Sequence, residues 1–204
     1  MISKVPTWIP VVIAAWAGVC VTGFAALAHY AGTPGSTGAS ESAWSPPAGA
    51  PGAFTAVVFA HPRCPCTRAT FCELDRLQKG TDATLIPRVY FYEPRDAGAD
   101  WRATGHWRRA QRLDDATIIA DPGGAAARAA GATTSGTVAL YDGRGRLLFW
   151  GGITPSRGHE GESLGAVAIA SILRGDPPDR RDTPVYGCAL DAEPKTTDAG
   201  ERDG

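Results

Sequence analysis

The hydrophobic pattern of this chain specifies an α/β domain with a mixed sheet, carried behind one apolar N-terminal helix. Three features say so. Phe54–Ala60 is a continuous apolar run, as in a strand covered on both faces. Thr67–Lys79 follows with Ala69, Phe71, Leu74 and Leu77 near helical spacing. Further on, Thr137–Tyr141 and Leu147–Trp150 flank Asp142-Gly143-Arg144-Gly145, a hairpin signal.

Taken in order, the first element is the span Trp8–Tyr30. It contains no Asp, Glu, Lys or Arg, and it reaches the ~20 residues a helix needs to cross a bilayer. A signal peptide's apolar region is usually about 7–15 residues long, so an uncleaved transmembrane anchor is expected. Cleavage as a signal sequence near the small residues Ala25–Ala28 is the alternative. Lys4 is the only charge before the span, and the next Lys or Arg is Arg63. That asymmetry puts residues 1–7 in the cytoplasm. The expected location is the cell inner membrane, single-pass, with the domain facing the periplasm or exterior. Cys20 lies inside the span, lacks lipobox residues before it, and is expected to be inert.

Residues 31–52 are rich in Gly, Ser, Pro and Ala and read as a flexible linker. The domain is expected over 53–175, followed by a C-terminal segment, 176–190, that carries Cys188. Residues 191–204 are polar and read as a disordered tail. Within the domain, Leu85–Tyr92 is a second strand, with Pro87 marking an irregular start or a bulge. Asp100–Leu113 reads as one polar helix and Thr117–Ala120 as a short strand. Asp121-Pro122-Gly123-Gly124 opens a small Ala-rich helix ending near Gly131. Ser163–Leu173 is a closing helix, stopped by Gly175 and Pro177-Pro178.

A length of 204 residues allows one ordinary domain plus these appendages. The net charge of −1 creates no field that would draw nucleic acid or acidic substrates. Arg102, His106, Arg108, Arg109 and Arg112, with Trp101 and Trp107, read as a solvated basic helix face with buried indoles. No nucleic-acid motif accompanies them, so no nucleic-acid partner is expected.

The chemistry concentrates in His61-Pro62-Arg63-Cys64-Pro65-Cys66-Thr67, between the first strand and the first helix of the domain. A thiol there sits on the positive end of the helix, which favours the thiolate. His61 is expected either to lower the thiol's pKa as an imidazolium, to bind a metal as a neutral ring, or only to pack. Arg63 either adds positive potential or is simply exposed. Cys66 is near enough to pair with Cys64, but a Cys-x-Cys disulfide closes a small, strained ring. Cys72 lies about 12 Å along the helix, beyond the ~7 Å Cα limit for a bridge, and is expected to be buried.

Strand–helix–strand–helix, then a hairpin, then a helix is the thioredoxin-like order. Phe59–Arg68 resembles the active-site segment of membrane-anchored thioredoxin-like thiol–disulfide oxidoreductases. Gly131–Thr137, with the strand ending at Asp142, resembles the segment around that family's second active-site loop. The resemblance covers residues 53–175, and the whole chain is similar to small anchored proteins of the RedB type. It implies a three-layer α/β/α sandwich with a mixed central sheet, and Cys64 as the nucleophile. It places Ser135 and Gly136 in the opposing loop. Two positions depart from the family. Thr67 stands where the second cysteine of Cys-x-x-Cys would be, and Gly136 stands where the family has a cis-proline.

In such a fold the loop Gly151–Gly161 comes near Cys64, and with it His159, Glu160 and Glu162. Glu162 and Ser163 also suit the start of the closing helix. That helix runs away by about 20 Å. Residues Asp176–Gly187 reach roughly 40 Å when extended, enough to return Cys188 to the site. Cys188 is then either a resolving cysteine or ligand, or a loose surface thiol.

Three functions compete. The leading one is thiol–disulfide exchange with protein thiols or disulfides in the extracytoplasmic space, with Cys64 and Cys66 catalytic and no cofactor. The second is a copper-handling module in which Cys64, Cys66, His61, His159 and Cys188 hold Cu(I), which suits thiolate and imidazole. The third is a thiol peroxidase with Thr67 beside Cys64.

Overall fold

The computed structural model describes residues 6, 8–36, 38, 44, 46 and 49–190. The expected disordered tail, 191–204, and most of residues 1–7 lie outside them. The elements are α1 (Trp8–Gly32), β1 (Phe54–Ala60), α2 (Thr67–Lys79), β2 (Leu85–Glu93), α3 (Gly105–Ala110), β3 (Thr117–Pro122), α4 (Ala125–Ala130), β4 (Thr137–Tyr141), β5 (Leu147–Gly151), α5 (Leu164–Arg174) and β6 (Asp182–Thr183). A 3-10 turn, Ala99–Trp101, precedes α3.

The sheet runs in the order β3-β2-β1-β4-β5-β6. β1 pairs in parallel with β2, and β2 with β3. β4 is antiparallel to both β1 and β5. β1 is therefore central, which is why its run carries no polar alternation. Ala56, Val58 and Ala60 join one core with Phe71 and Leu74 of α2 and Ile169 and Ile172 of α5. Val57 and Phe59 join a second core with Ala127 and Ala130 of α4 and Trp150. Neighbouring residues on one strand thus feed opposite faces, as the period of two requires. The result is the expected thioredoxin-like three-layer sandwich with a mixed sheet.

Asp100–Leu113 is not one helix. Thr104 adopts extended backbone, and its hydroxyl accepts from the Trp107 N–H at 3.2 Å, so α3 starts afresh at Gly105. The break lets two indoles serve opposite faces of the sheet. Trp101 donates its indole N–H to the Tyr92 carbonyl at 2.7 Å, while Trp107 stacks on Phe91 at 4.9 Å between ring centroids.

Pro87 produces no bulge. The β1–β2 register runs unbroken from Phe54↔Leu85 to Ala60↔Phe91. β3 pairs with β2 only from Arg88 onward, so on that side the missing Pro87 N–H costs no ladder bond. Among the described residues, the one register shift falls in the hairpin, between Leu140 and Tyr141. Asp142 closes that turn by accepting from the Arg144 and Arg146 amides at 3.0 and 2.9 Å.

Two further findings position the site. The segment after α5 turns back as β6, which pairs in parallel with β5 and extends the sheet. Parts of the 31–52 stretch lie on the domain. Gly35 donates to the Val185 carbonyl at 2.8 Å, the Trp150 indole donates to the Gly38 carbonyl at 3.1 Å, and the Trp44 ring packs 5.5 Å from Phe59. α1 has 25 residues and is long and apolar enough to cross a membrane.

Candidate functional site

β1 ends at Ala60, and the chain turns through residues 61–66 into α2. Two buried hydroxyls fix that turn. Ser135 Oγ accepts from the His61 N–H at 2.9 Å, and Thr67 Oγ1 donates to the His61 carbonyl at 3.1 Å. The two hydroxyl oxygens are themselves 3.1 Å apart. Thr67 and Ser135 therefore lock the cysteine loop to the loop before β4.

Gly136 follows at φ +95°, where glycine alone is unstrained. Its N–H donates to the Phe59 carbonyl at 2.8 Å. A proline could not make that bond, and among the described residues no peptide bond is cis.

Cys64 is 1% exposed. Its Sγ lies 3.1 Å from Cys188 Sγ. A disulfide measures about 2.05 Å, so closure asks for about 1 Å of movement. The Cys64 thiol is held far below its ordinary pKa, first by the Cys188 thiol and then by the Cys66 thiol, both donating to it. The backbone N–H groups of Cys188 and Cys66 add to this, while burial opposes it. The two donors pay the complementary shift. Cys66 is pushed up, chiefly by Cys188 and then Cys64, and Cys188 is pushed up chiefly by Cys64. The three shifts run in the directions that favour Cys64, over its two neighbours, as the thiolate. The helix-start argument accounts for only one of these donors, the amide of Cys66 at the N-cap of α2. The Cys188 thiol and amide come from the far end of the chain.

Cys188 is placed by its backbone. Ser135 N–H donates to the Cys188 carbonyl at 2.8 Å, Leu190 N–H donates to the Thr133 carbonyl at 2.9 Å, and Thr134 faces Ala189 in an antiparallel bridge. The Arg157 guanidinium donates to the Gly187 carbonyl. Val185 and Leu190 are buried on either side.

The other expected residues take different positions. Burial pushes the His61 pKa below its ordinary value and outweighs the raising effect of Cys64, which disfavours the imidazolium. Its Nδ1 accepts from the Arg63 N–H at 3.2 Å, its ring stacks on Tyr92 with centroids 5.6 Å apart, and its Nε2 is buried without a partner. Arg63 points outward, paired with Asp100 at 2.8 Å and seated 4.1 Å over Trp101. His159 is exposed and held by its own loop, with Nδ1 2.8 Å from the Arg157 carbonyl oxygen. Glu160 beside it pairs with Arg76 and Arg68. Ser163 caps α5 as expected, accepting from the Ala166 N–H at 3.2 Å.

Cys72 is half-buried, not buried, and Arg109 approaches its sulfur at 3.8 Å. Sequence reasoning missed Arg157, which clamps the tail, and read His106 as part of a solvated face, whereas burial lowers its pKa against the raising effect of Cys64. No spacing signal marks either one. Among the described residues, no group of three or more His, Cys, Asp or Glu side chains is arranged to hold a metal ion.

No protein-family model and no curated protein matches the chain. Solved structures do. An uncharacterized conserved protein from Geobacillus kaustophilus is 18% identical with a TM-score of 0.53, over 70% of this chain and 79% of that one. At that identity the likeness shows a shared fold. The exposed lipoprotein thioredoxin of Streptococcus pneumoniae is 18% identical with a TM-score of 0.43, over 61% of this chain and 85% of that one. A secreted disulfide oxidoreductase of Mycobacterium tuberculosis is 10% identical with a TM-score of 0.40, over 61% and 83%.

Proposed function

We propose that this protein is a thiol–disulfide oxidoreductase, tethered by α1 to the inner membrane, with its domain in the extracytoplasmic space. Cys64 is the nucleophile and Cys188 the resolving thiol. The observation that carries this reading is the 3.1 Å contact between the Cys64 and Cys188 sulfurs. Its substrates are protein thiols and disulfides in the same space.

Cys64 thiolate attacks one sulfur of a substrate disulfide. A mixed disulfide forms, and the second substrate sulfur leaves as a thiolate that takes up a proton. Cys188, on losing its proton, attacks Cys64 Sγ and releases the first substrate sulfur. Two electrons pass from the Cys64–Cys188 pair to the substrate, and an external dithiol returns them. Cys66 donates to the thiolate in this scheme, since Cys188 reaches Cys64 without the small ring that a Cys64–Cys66 bridge would close.

The alternatives have less support. Copper binding finds no group of ligands assembled among the described residues, and His159 is exposed with Nδ1 at the Arg157 carbonyl. A peroxidase would need the Thr67 hydroxyl at the peroxide, and that hydroxyl is committed to the His61 carbonyl. Cys64→Ser is expected to abolish reduction of insulin disulfides; retained activity rejects the assignment.

A further inference from the structure

The edge that holds the C-terminal segment has the chemistry of a site for a second polypeptide. Thr133 and Ser135 meet residues 188–190 through main-chain groups, by the 2.8 and 2.9 Å hydrogen bonds around the Thr134–Ala189 bridge. Such bonds are blind to sequence, and any extended segment can make them. Selection comes from three other positions. At Gly187 a Cβ would stand 1.9 Å from the Ser135 carbonyl oxygen, so no larger residue fits there without the strand lifting. Val185 is 2% exposed. Leu190 is 3% exposed and sits in the core with Tyr92, Ala127 and Ala132. Between them, Cys188 delivers its sulfur to Cys64.

This segment also blocks the nucleophile. Cys64 is 1% exposed with the tail in place, so a substrate disulfide reaches it only when the tail moves aside. The tail's sheet anchor, β6, is two residues long. Resting on the oxidoreductase reading above, we propose that this edge is the binding site for the cysteine-bearing strand of the substrate, and that residues 185–190 are a built-in occupant of it. The substrate class is an extended protein segment with glycine immediately before its disulfide-bonded cysteine, an apolar residue three before that cysteine and another two after. Occupancy by tail and substrate is mutually exclusive. The tail lifts, the substrate strand adds, and Cys64 takes its sulfur into a mixed disulfide while the other substrate sulfur leaves as a thiolate. Return of the tail then displaces the strand and presents Cys188 to Cys64, so resolution and release are one event.

The test uses the full chain and the hexapeptide Val-Tyr-Gly-Cys-Ala-Leu capped on sulfur with thionitrobenzoate, beside glutathione capped the same way. Attack by Cys64 joins it to the peptide sulfur and expels coloured thionitrobenzoate. Gly187→Ala removes the competitor, so the ratio of peptide to glutathione rates is expected to rise about tenfold or more over the unaltered chain. Leu190→Ser is expected to move the ratio in the same direction, which covers a folding failure of the first variant. A peptide with alanine before its cysteine is expected to react no faster than capped glutathione. An unchanged ratio in both variants, or equal rates for the glycine and alanine peptides, overturns the site while glutathione still reacts. If capped glutathione does not react with Cys64 either, the oxidoreductase reading falls and this inference falls with it.

Discussion

At the scale of single residues, the chemistry turns on which of three neighbouring sulfurs is favoured as the thiolate. Cys64 is lowered because Cys188 and Cys66 donate to it, so removing a donor must raise it. In the unaltered protein the alkylation rate of Cys64, followed by peptide mapping, is expected to stay flat between about pH 6 and 8. In Cys188→Ala, which keeps the Cys66 donor but loses the larger one, the rate should begin to climb with pH within that range. Matching profiles would deny Cys188 its part. His61 supplies a second pH signature. Its native pKa lies below 6.5, so the unfolded chain binds a proton that the folded one refuses. The stability this represents is complete above about pH 6.5 and is lost as pH falls toward the lowered native value, by at most about 1.4 kcal/mol per pH unit. His61→Phe keeps a flat ring against Tyr92 and Trp101 and should flatten that slope, read from urea midpoints at pH 5 and 7. Equal slopes would show that another group refuses the proton.

At the scale of elements, the site is made where β1 ends and α2 begins, against the loop before β4 and the returning tail. Gly136 is the joint of that arrangement. Gly136→Ala forces a side chain into a left-handed backbone and sets a Cβ 3.0 Å from Thr70 Oγ1. The expected cost is about 1–3 kcal/mol of stability, measured by denaturant unfolding; no loss would mean that the loop relaxes freely. Much of this level was legible in advance. Phe54–Ala60, Thr67–Lys79, the Asp142 turn and the Gly175 stop carry strong local signals, and each stands close to where periodicity placed it. The Asp100–Leu113 helix was not legible, because its break rests on the Thr104 cap and on two tryptophans serving opposite faces, which only the tertiary fold decides.

At the scale of the whole molecule, the residues that follow α1 and the segment carrying Cys188 converge on one loop. Arg157 is the meeting point. Its N–H donates to the Ala31 carbonyl at 3.0 Å, and its guanidinium donates to the Thr33 and Gly187 carbonyls. The end of α1 and the tail carrying Cys188 are thus fastened to the same loop, which would hold the thiols close to the membrane if α1 spans it. Composition alone read residues 31–52 as a free linker and left Cys188 open between partner and loose thiol. Chain length showed that the tail could return, but only the backbone pairing of Cys188 and Leu190 with Ser135 and Thr133 fixes where it lands.

The most direct test is to map the disulfides of the full chain by mass spectrometry after mild oxidation, with a reduced sample beside it. A single oxidised product joining the Cys64 and Cys188 peptides, absent after reduction, is the predicted result. A Cys64–Cys66 bridge, or a Cys188 that stays free while Cys64 oxidises elsewhere, would contradict the account.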